Sequence, residues 1–465
     1  MSEPLLSDYQ IRIGSENIIS RNLLGVLSTD PEDKEKIQAK LEEVLKEMRV
    51  RFGTIIKTDN VSFLIGAGAS LDAGGVSLAT IPKPLEKALI DKAKEHKDGL
   101  APGWIDLFYK IASALSQYEF SFKARLELYS KEENDVSPIC LNLESFLSQL
   151  HTWYAGMPNK TKTLSLAGGS ELSINKSDLT NLIKEVHASL ADILNLPKDE
   201  HHEPLRIHRK FIKKVLTRPL NLRRANIFTL NYDTLIEQAG DAEGAVLVDG
   251  FVGTLRRVFR PESYDIDFYF PAQTTEGRVH RFDRALHLYK LHGSITWHRC
   301  EPDWENPFGL FATFYNDDCH IDDVLIYPTP LKYGQTLGMP YSELFRRFGS
   351  AVVQPQSALF VIGYGFGDDH VTSLIRQALA IPSFTLVVVD PDPQSTFVSE
   401  LEKLGDERVW IIKGKGLGTF ENFVTKLLPD LKEEEINAKV MKTFNALSLL
   451  SERKPDDGGD DSDGK

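Results

Sequence analysis

Six short apolar runs, each followed by polar or glycine-rich residues, dominate the hydrophobic pattern of this 465-residue chain. Runs of this length, separated by helical segments, are typical of parallel strands that are buried on both faces of a sheet. The pattern therefore predicts an α/β fold, with a Rossmann-like parallel sheet and helices on both of its faces. The runs begin at Val61, Ala225, Leu286, Ala358, Phe384 and Val409.

Helical periodicity fills most of the intervals between these runs. From 82 to 205, apolar residues recur every three or four positions, which predicts a helical module inserted after the first strand. Within it, the polar stretch 159–177 is interpreted as a loop or a short hairpin. Residues 30–33 have the composition of a helix start, and Gly53 is placed to end that helix. We interpret the apolar stripe of this helix as core packing, with an oligomer contact as the alternative.

These patterns divide the chain into four parts. They are an N-terminal helical segment at 1–60, an α/β domain at 61–425 with its insertion at about 82–205, C-terminal helices at 426–452, and an acidic tail at 453–465. The tail is rich in Asp and Gly and has no apolar residues with which to build a core, so it is predicted to be disordered.

The first predicted strand continues into Gly66-Ala67-Gly68-Ala69-Ser70. Glycines at such a position allow a tight turn and a close approach of the backbone to a ligand. If residues 71–78 begin a helix or a long turn, free backbone N–H groups can bind a pyrophosphate. The third glycine of the dinucleotide-binding fingerprint is not in its usual place, so a simple tight turn is the alternative.

Polar side chains also follow the later strands, at the point where each strand ends. Asn231 and Asp233 follow the second strand, His292 the third, Tyr364 the fourth and Asp390 the fifth. In open parallel sheets, ligands bind beyond the carboxyl ends of the strands. The shared position therefore favours one ligand site, although each residue could instead be a turn or capping residue. The same alternative applies to Asp368 and His370, which follow Tyr364.

Composition excludes several classes of function. Hydrophobic residues make up 42% and charged residues 26%, as in ordinary soluble proteins. The net charge of -13 argues against non-specific binding to nucleic acid or anionic membranes. No apolar run reaches the roughly 20 residues that span a bilayer, and residues 1–25 show no secretory signal, so we expect a cytoplasmic protein. The basic segment 206–224 is interpreted as a solvated helix face, with a surface for an acidic partner or nucleic acid as the alternative.

No metal site is expected. The three cysteines, Cys140, Cys300 and Cys319, are scattered and form no Cys-x-x-Cys pair. A disulfide framework is equally unexpected, which fits a reducing compartment. The adjacent His201 and His202 lie in a polar, proline-flanked stretch that is more typical of a loop than of a metal site.

Together, the strand ends resemble the sirtuin family. The segment 66–70 looks like the glycine-rich cofactor loop of that family. Thr229-Leu230-Asn231-Tyr232-Asp233 is similar to its Thr-Gln-Asn-x-Asp motif, with Leu230 where Gln is usual, and Leu291-His292-Gly293-Ser294 matches its Leu-His-Gly-Ser. Each motif is short, but the three occur in the family order. The resemblance covers roughly residues 61–420, interrupted by the insertion.

The resemblance implies that the α/β domain binds NAD and catalyses its cleavage. NAD already carries a good leaving group, so the enzyme needs to position groups and stabilise charge rather than supply a metal. Asn231 could hold a ribose hydroxyl or water, His292 could accept a proton, and Asp233 could orient the site. Ser70 and the loop amides could bind the pyrophosphate, and Asp390 the adenosine ribose. The implied cofactor-binding residues are Gly66, Ala67, Gly68, Ser70, Thr229, Gly363, Tyr364 and Asp390.

Departures from the family pattern concern the peptide site. Deacylating sirtuins continue the glycine loop with Gly-Ile-Pro-Asp-Phe-Arg, whereas this chain has Gly-Gly-Val-Ser-Leu-Ala at 74–79. Their four zinc cysteines are replaced by Cys300 and Cys319 alone, so no zinc ribbon is expected. Their Phe-Gly-Glu has no match, and 325–330 stands about where it should be. The segment 363–370 instead resembles Gly-Tyr-Ser-Phe-x-Asp of bacterial sirtuin-like proteins of phage defence, which hydrolyse NAD.

The resemblance therefore implies an NAD+ hydrolase that depletes NAD in bacterial antiphage defence. Because unrestrained NAD depletion would kill the host, we expect activity to be gated by oligomerisation or by a partner. A homo-oligomer is expected, with a HerA-type hexameric ATPase as candidate partner, and with no membrane or direct nucleic-acid binding. A protein deacylase, an ADP-ribosyltransferase and a non-catalytic nucleotide sensor are the alternatives.

Overall fold

A computed structural model of the chain describes residues 7–29, 34–77, 80–95, 102–116, 118–131, 136–139, 141–157, 162–165, 171–197, 205–270, 280–313 and 338–432. The strands in these ranges are β1 (Gln10–Ile13), β2 (Glu16–Asn17), β3 (Asn60–Ile65), β4 (Lys162–Ser165), β5 (Glu171–Ile174), β6 (Asn226–Thr229), β7 (Val246–Val248), β8 (Phe251–Val252), β9 (Arg257–Phe259), β10 (Tyr269–Phe270), β11 (His280–Arg281), β12 (Ala285–Lys290), β13 (Trp297–Arg299), β14 (Leu310–Ala312), β15 (Ser357–Ile362), β16 (Thr385–Val389) and β17 (Val409–Lys413).

The α-helices are α1 (Ile18–Thr29), α2 (Lys34–Ile56), α3 (Pro82–Lys94), α4 (Gly103–Ser116), α5 (Phe122–Lys131), α6 (Leu143–Ala155), α7 (Lys176–Leu194), α8 (Arg206–Val215), α9 (Leu235–Ala242), α10 (Tyr341–Val352), α11 (Asp369–Leu379), α12 (Thr396–Leu404) and the short α13 (Phe420–Asn422). Two 3₁₀ helices span Ala67–Ala73 and Pro261–Asp265, and a π-helical turn spans Phe423–Leu427.

A nine-stranded sheet forms the centre of the fold, in the order β2-β1-β17-β16-β15-β3-β6-β12-β7. The strands from β17 to β7 are parallel, and β1 and β2 run antiparallel at one edge. From the central β3 the chain first builds outwards through β6 and β12, and then returns to build the other half from β15. This is the doubly wound order of Rossmann-like sheets, with its topological switch point between β3 and β15. The predicted α/β fold class is thus confirmed, and all six predicted strands are present.

Both faces of the sheet are covered, which is why its strands are continuously apolar. On one face, Phe63 and Phe360 stack with ring centroids 5.1 Å apart, beneath α2 and α8. On the other face, Phe228 and Tyr289 stack at 4.6 Å beneath α10, with Phe348 against their edge. These two layers fix the strand ends from which the site is built.

The structure corrects the sequence reading of the N-terminal region in two places. The segment predicted to be helical also supplies β1 and β2, which extend the sheet beyond β17. Gly53 was predicted to end a helix, but α2 continues to Ile56. Residues Phe52, Ile55 and Ile56 are buried in the core, so tertiary packing outweighs the unfavourable helix propensity of glycine. The predicted helix start at 30–33, most of the predicted C-terminal helices and the tail lie outside the described residues.

Helices α3 to α7 form the predicted insertion, and β4 pairs with β5 as an antiparallel hairpin within it. The insertion has a hydrophobic core of its own. Beside that core lies Glu86, whose side chain is fully buried and accepts two hydrogen bonds of 2.6 Å from Arg125. The hydroxyls of Tyr109 and Tyr129 complete its shell at 3.1 and 3.0 Å. A buried carboxylate is tolerated only with such partners, so this cluster specifies how α3 packs on α4 and α5.

The basic segment 206–224 packs against the domain through several of its cations. Arg206 lies 2.7 Å from Glu421, and Arg209 lies 2.9 Å from Glu243. Arg218 is buried and donates to main-chain carbonyls that include those of Thr58 and Arg223. Arg206, Arg209, Lys210 and Lys213 are exposed on α8, in agreement with the predicted solvated basic face, whereas Arg218 beyond the helix is buried.

Candidate functional site

A cavity of about 400 Å³ opens at the carboxyl ends of the central strands, beside the switch point of the sheet. Four strand ends contribute to it: the segments after β3, β6, β12 and β15. The helical insertion supplies an apolar wall. The lining residues are Gly66, Ala67, Gly68, Ser70, Gly75, Val76, Ser77, Ile81, Ile193, Leu194, Leu196, Leu230, Asn231, Tyr232, Asp233, His292, Gly363, Tyr364, Gly365, Gly367 and Asp368.

The glycine loop after β3 packs directly on the loop after β15. Gly68 N donates to Gly363 O at 2.9 Å, and a Cβ atom at Gly66 would lie only 2.5 Å from the same oxygen. Gly363 itself has a φ of +63°, which favours glycine. The glycines at 66 and 68 are therefore required by the contact between the two loops. Directly after Gly66 the chain enters the 3₁₀ helix, which ends at Ala73 and so begins earlier than the stretch 71–78 considered from sequence.

Asn231 is buried at the start of the turn between β6 and α9. Its Nδ2 donates to Gly66 O at 3.0 Å and to Ser70 Oγ at 2.9 Å. Its main-chain N donates to Thr229 Oγ1 at 3.0 Å, and that hydroxyl donates to Ile65 O. Thr229 does not line the cavity, and its contacts hold the turn that presents Asn231.

Asp233 is buried in the same turn and joins the same network. Its Oδ2 accepts a 2.8 Å hydrogen bond from Ser70 Oγ, and its Oδ1 accepts from Leu235 N at 3.1 Å at the start of α9. Ser70 thus accepts from Asn231 and donates to Asp233. This network couples the glycine loop to the turn after β6, and the pyrophosphate contact of Ser70 stays a prediction.

His292 faces this network from the end of β12. Its Nε2 lies 3.1 Å from Oδ2 of Asp368, and both side chains are buried. The other carboxylate oxygen, Oδ1, accepts from His370 N at 3.0 Å and caps α11. Asp368 is therefore held rigidly against the imidazole.

Tyr364 reinforces the position of Asp368. Its hydroxyl accepts from Asp368 N at 2.9 Å and donates to Asp368 O at 3.2 Å. Burial raises the pKa of the Tyr364 hydroxyl, so the group remains a protonated donor at neutral pH. The predicted ligand-binding Tyr364 does line the cavity, but its hydroxyl also has this supporting role.

Asp390 is not among the residues that line the cavity. It lies at the end of β16, where Oδ1 accepts from Asp392 N at 2.8 Å and where burial raises its pKa. The neighbouring Val389 O accepts from Gly363 N at 3.0 Å, which places Asp390 next to the loop after β15. Its contact with an adenosine ribose stays a prediction.

Two contributions to the cavity were absent from the site predicted from sequence. Asp368 belongs to a motif that was singled out, but its pairing with His292 depends on the path of the loop between Gly363 and α11. The apolar wall from Ile193, Leu194 and Leu196 had no signal in the sequence, because helical periodicity does not reveal where an insertion docks.

Within the described ranges, no group of three or more His, Cys, Asp or Glu side chains could hold a metal ion. Cys140, Cys319, His201 and His202 lie outside those ranges, as does the segment 325–330. In the same part of the chain, no helix has the length and apolar character needed to cross a membrane.

Comparison with known proteins gives a match to a family model. A search of curated proteins found no match. Residues 225–407, less than half of the chain, match the family model of the SIR2-like domain. The matched segment extends from β6 to just beyond α12 and includes Asn231, Asp233, His292 and Asp368. SIR2-like domains bind NAD. The match therefore supports the sirtuin-like family and an NAD-dependent enzyme.

Proposed function

We propose that this chain is an NAD+ glycohydrolase, which converts NAD+ and water into ADP-ribose, nicotinamide and a proton. The observation that supports it most is the convergence of Asn231, Asp233 and His292 on one cavity at the switch point of the sheet. In the cell, this activity would deplete NAD during antiphage defence.

The volume of the cavity and the open space beside two of its glycines suit a nucleotide ligand. Its volume of about 400 Å³ lies within the range of small-molecule sites. Gly365 and Gly367 line it, yet a Cβ atom at either position would meet no atom within 4 Å, and neither has a positive φ. Since neither packing nor backbone conformation requires glycine there, the space beside them is available to a bound ligand.

The reaction breaks the bond between ribose C1′ and the nicotinamide nitrogen. Nicotinamide departs as a neutral molecule with the bonding electron pair, and the oxygen of water forms the new bond to C1′. The protein has to position the ribose and the water and to stabilise the developing positive charge. The Asn231 Oδ1 can accept a hydrogen bond from a ribose hydroxyl or from the water.

His292 is suited to take the proton that water or a ribose hydroxyl releases. Because Nε2 faces the Asp368 carboxylate, the neutral imidazole carries its proton on Nε2 and its lone pair on Nδ1. Nδ1 is therefore the atom that acts as general base. After the transfer, the Asp368 carboxylate stabilises the imidazolium.

The NAD-hydrolysing activity would have to be restrained in the cell. An NAD hydrolase that is always active would harm its own cell, so we propose that oligomerisation or a partner, such as a HerA-type ATPase, controls this one. A homo-oligomer in the cytoplasm is the form we propose for it.

Product analysis tests the function and separates its alternatives. The chain is incubated with NAD+, alone and with the candidate ATPase, and the products are identified by chromatography. Equal amounts of nicotinamide and ADP-ribose are expected. No nicotinamide under either condition contradicts the proposal. Label transferred to protein instead indicates an ADP-ribosyltransferase, deacylation of an acetyl peptide indicates a deacylase, and NAD binding without turnover indicates a sensor.

Replacing Gly365 by valine is expected to raise KM for NAD+ by about 10-fold or more, because the added side chain occupies the space beside the ligand. Stability should change little, since a Cβ atom at this position meets no atom within 4 Å. Steady-state kinetics and thermal unfolding measure the two effects. Gly156→Val is the matched control, at a glycine of ordinary φ (-90°) outside the cavity. An unchanged KM in Gly365→Val would argue against a ligand at this loop.

Asp390→Ala is expected to raise KM for NAD+ by about 10-fold, the effect of losing one hydrogen bond to a charged group. We expect kcat to change much less, because the adenosine ribose is remote from the bond that breaks. Asp392→Ala, at an exposed position two residues further along the chain, is the control. A fall in kcat at constant KM would exclude the ribose contact.

A further inference from the structure

Lys290 is the last residue of β12 and is buried, with 2% of its surface exposed. In the parallel register of the sheet it lies beside Thr229, the last residue of β6. Along the chain, Lys290 stands two residues before His292. Across the sheet, it lies at the base of the turn that carries Asn231. It does not itself line the cavity.

The Lys290 ammonium group bonds to the turn rather than to its own strand. It donates to the main-chain oxygen of Asp233, to that of Tyr232 at 3.5 Å, and to Glu237 Oε1 at 2.8 Å in the first turn of α9. An ammonium group has three protons to donate, and these are three acceptors. The contacts therefore join the end of β12 to the turn between β6 and α9 and to the first turn of α9.

Stability alone does not explain a buried lysine at this place. Removing an ammonium group from water is costly, and replacing a buried ion pair with apolar residues of similar volume is often neutral or stabilising. An apolar pair at positions 290 and 237 would fill the same space, but it could not bind the two carbonyl oxygens. The part of the arrangement that needs a lysine is therefore its hold on the turn.

We propose that Lys290 is a positioning residue, which fixes the turn so that the side chains of Asn231 and Asp233 face the cavity at a set distance from His292. It connects the two strand ends that carry these groups, β6 and β12. A small displacement of reacting groups can cost about 10²-fold in rate. The effect on turnover rests on the proposed NAD cleavage.

The experiment removes the charges of both Lys290 and Glu237, which separates an effect on turnover from an effect on stability. Lys290→Met alone should lower the unfolding midpoint and kcat together, because it leaves Glu237 buried without its ion-pair partner. The double variant Lys290→Met with Glu237→Leu should recover the unfolding midpoint, yet keep a kcat lowered by about 10²-fold. Glu237→Gln is the matched control: it retains Lys290 and both carbonyl contacts, and should keep kcat within about 3-fold of the parent chain.

Recovery of both the midpoint and kcat in the double variant would overturn the proposal, because the pair would then serve stability alone. If the double variant does not fold, Lys290→Arg decides. Its guanidinium keeps the charge beside Glu237 but not the ammonium geometry under the turn, so kcat should fall while the midpoint holds. An unchanged kcat would overturn the proposal.

Failure of the proposed function is visible separately, as absence of NAD cleavage by the unmodified chain. Positioning is then tested by calorimetric titration with NAD+. We expect the double variant to bind at least about 10-fold more weakly than the unmodified chain at equal thermal stability. Equal binding would overturn the role of Lys290.

Discussion

His292→Ala is expected to lower kcat for NAD+ cleavage by about 10³-fold, within the range found when a general base is removed. The imidazole is held by Asp368 on one side, and the rings of Tyr232 and Phe345 lie near it with centroids at 6.4 Å. Its loss removes the proton acceptor and leaves the strand ends unchanged. The measurement is the rate of nicotinamide release at saturating NAD+.

Three further variants show whether this loss of activity is specific to His292. His280→Ala, at an exposed histidine on β11, should retain full activity. Asp368→Asn should lower kcat by about 10²-fold, because an amide at Nε2 no longer fixes the tautomer or stabilises the imidazolium. The neighbouring Asp369→Asn, on an exposed side chain, is its control. Full activity in His292→Ala would remove His292 from the mechanism.

Asn231→Ala is the second change for which a loss of about 10³-fold in kcat is expected, since it removes a group that positions the ribose or the water. It also deprives Gly66 O and Ser70 Oγ of a hydrogen bond, so the free energy of unfolding should fall by about 1–3 kcal/mol. Activity is therefore measured well below the unfolding midpoint, with the rate of nicotinamide release as the readout.

Asn226→Ala provides the comparison, because Asn226 is the first residue of β6, the strand that precedes Asn231, and does not line the cavity. Its Nδ2 makes one long contact of 3.5 Å with Ser62 Oγ, so both activity and stability should change little. If Asn231→Ala remained active while folded, the ribose or water contact assigned to Asn231 would be wrong.

The amino-acid sequence predicted the part of this site that depends on sheet topology. Asn231, Asp233 and His292 follow separate apolar runs, and parallel strands present their carboxyl ends at one edge, so their convergence could be expected from order alone. The same reasoning predicted six strands, because strands buried on both faces leave a clear apolar pattern. The short strands at the two edges of the sheet, β1 and β2 on one side and β7 on the other, carry no such pattern and were missed.

The rest of the site depends on packing between segments that are distant in sequence. Asp368 reaches His292, which follows β12, through the path of the loop from Gly363 to α11, with positive φ at Gly363 and at Phe366. Ile193 and Leu196 follow the helical pattern of the insertion, which indicates that they are apolar but not that they face a cavity. Gly53 is a further example, because α2 continues beyond this glycine only through the burial of the residues that follow it.

The place of β3 in the sheet has a consequence for how this chain can be divided. The region that matches the SIR2-like domain begins at residue 225, whereas β3 ends at Ile65 and lies between β6 and β15. A fragment made of 225–407 would lose the middle of its own sheet and leave β6 and β15 as facing, unpaired edges, which promote aggregation. It would also lose Gly66 and Ser70, the partners of Asn231. The boundary of sequence similarity is therefore not the boundary of the folding unit, and the matched segment cannot be separated from the first strand of the parallel sheet, β3.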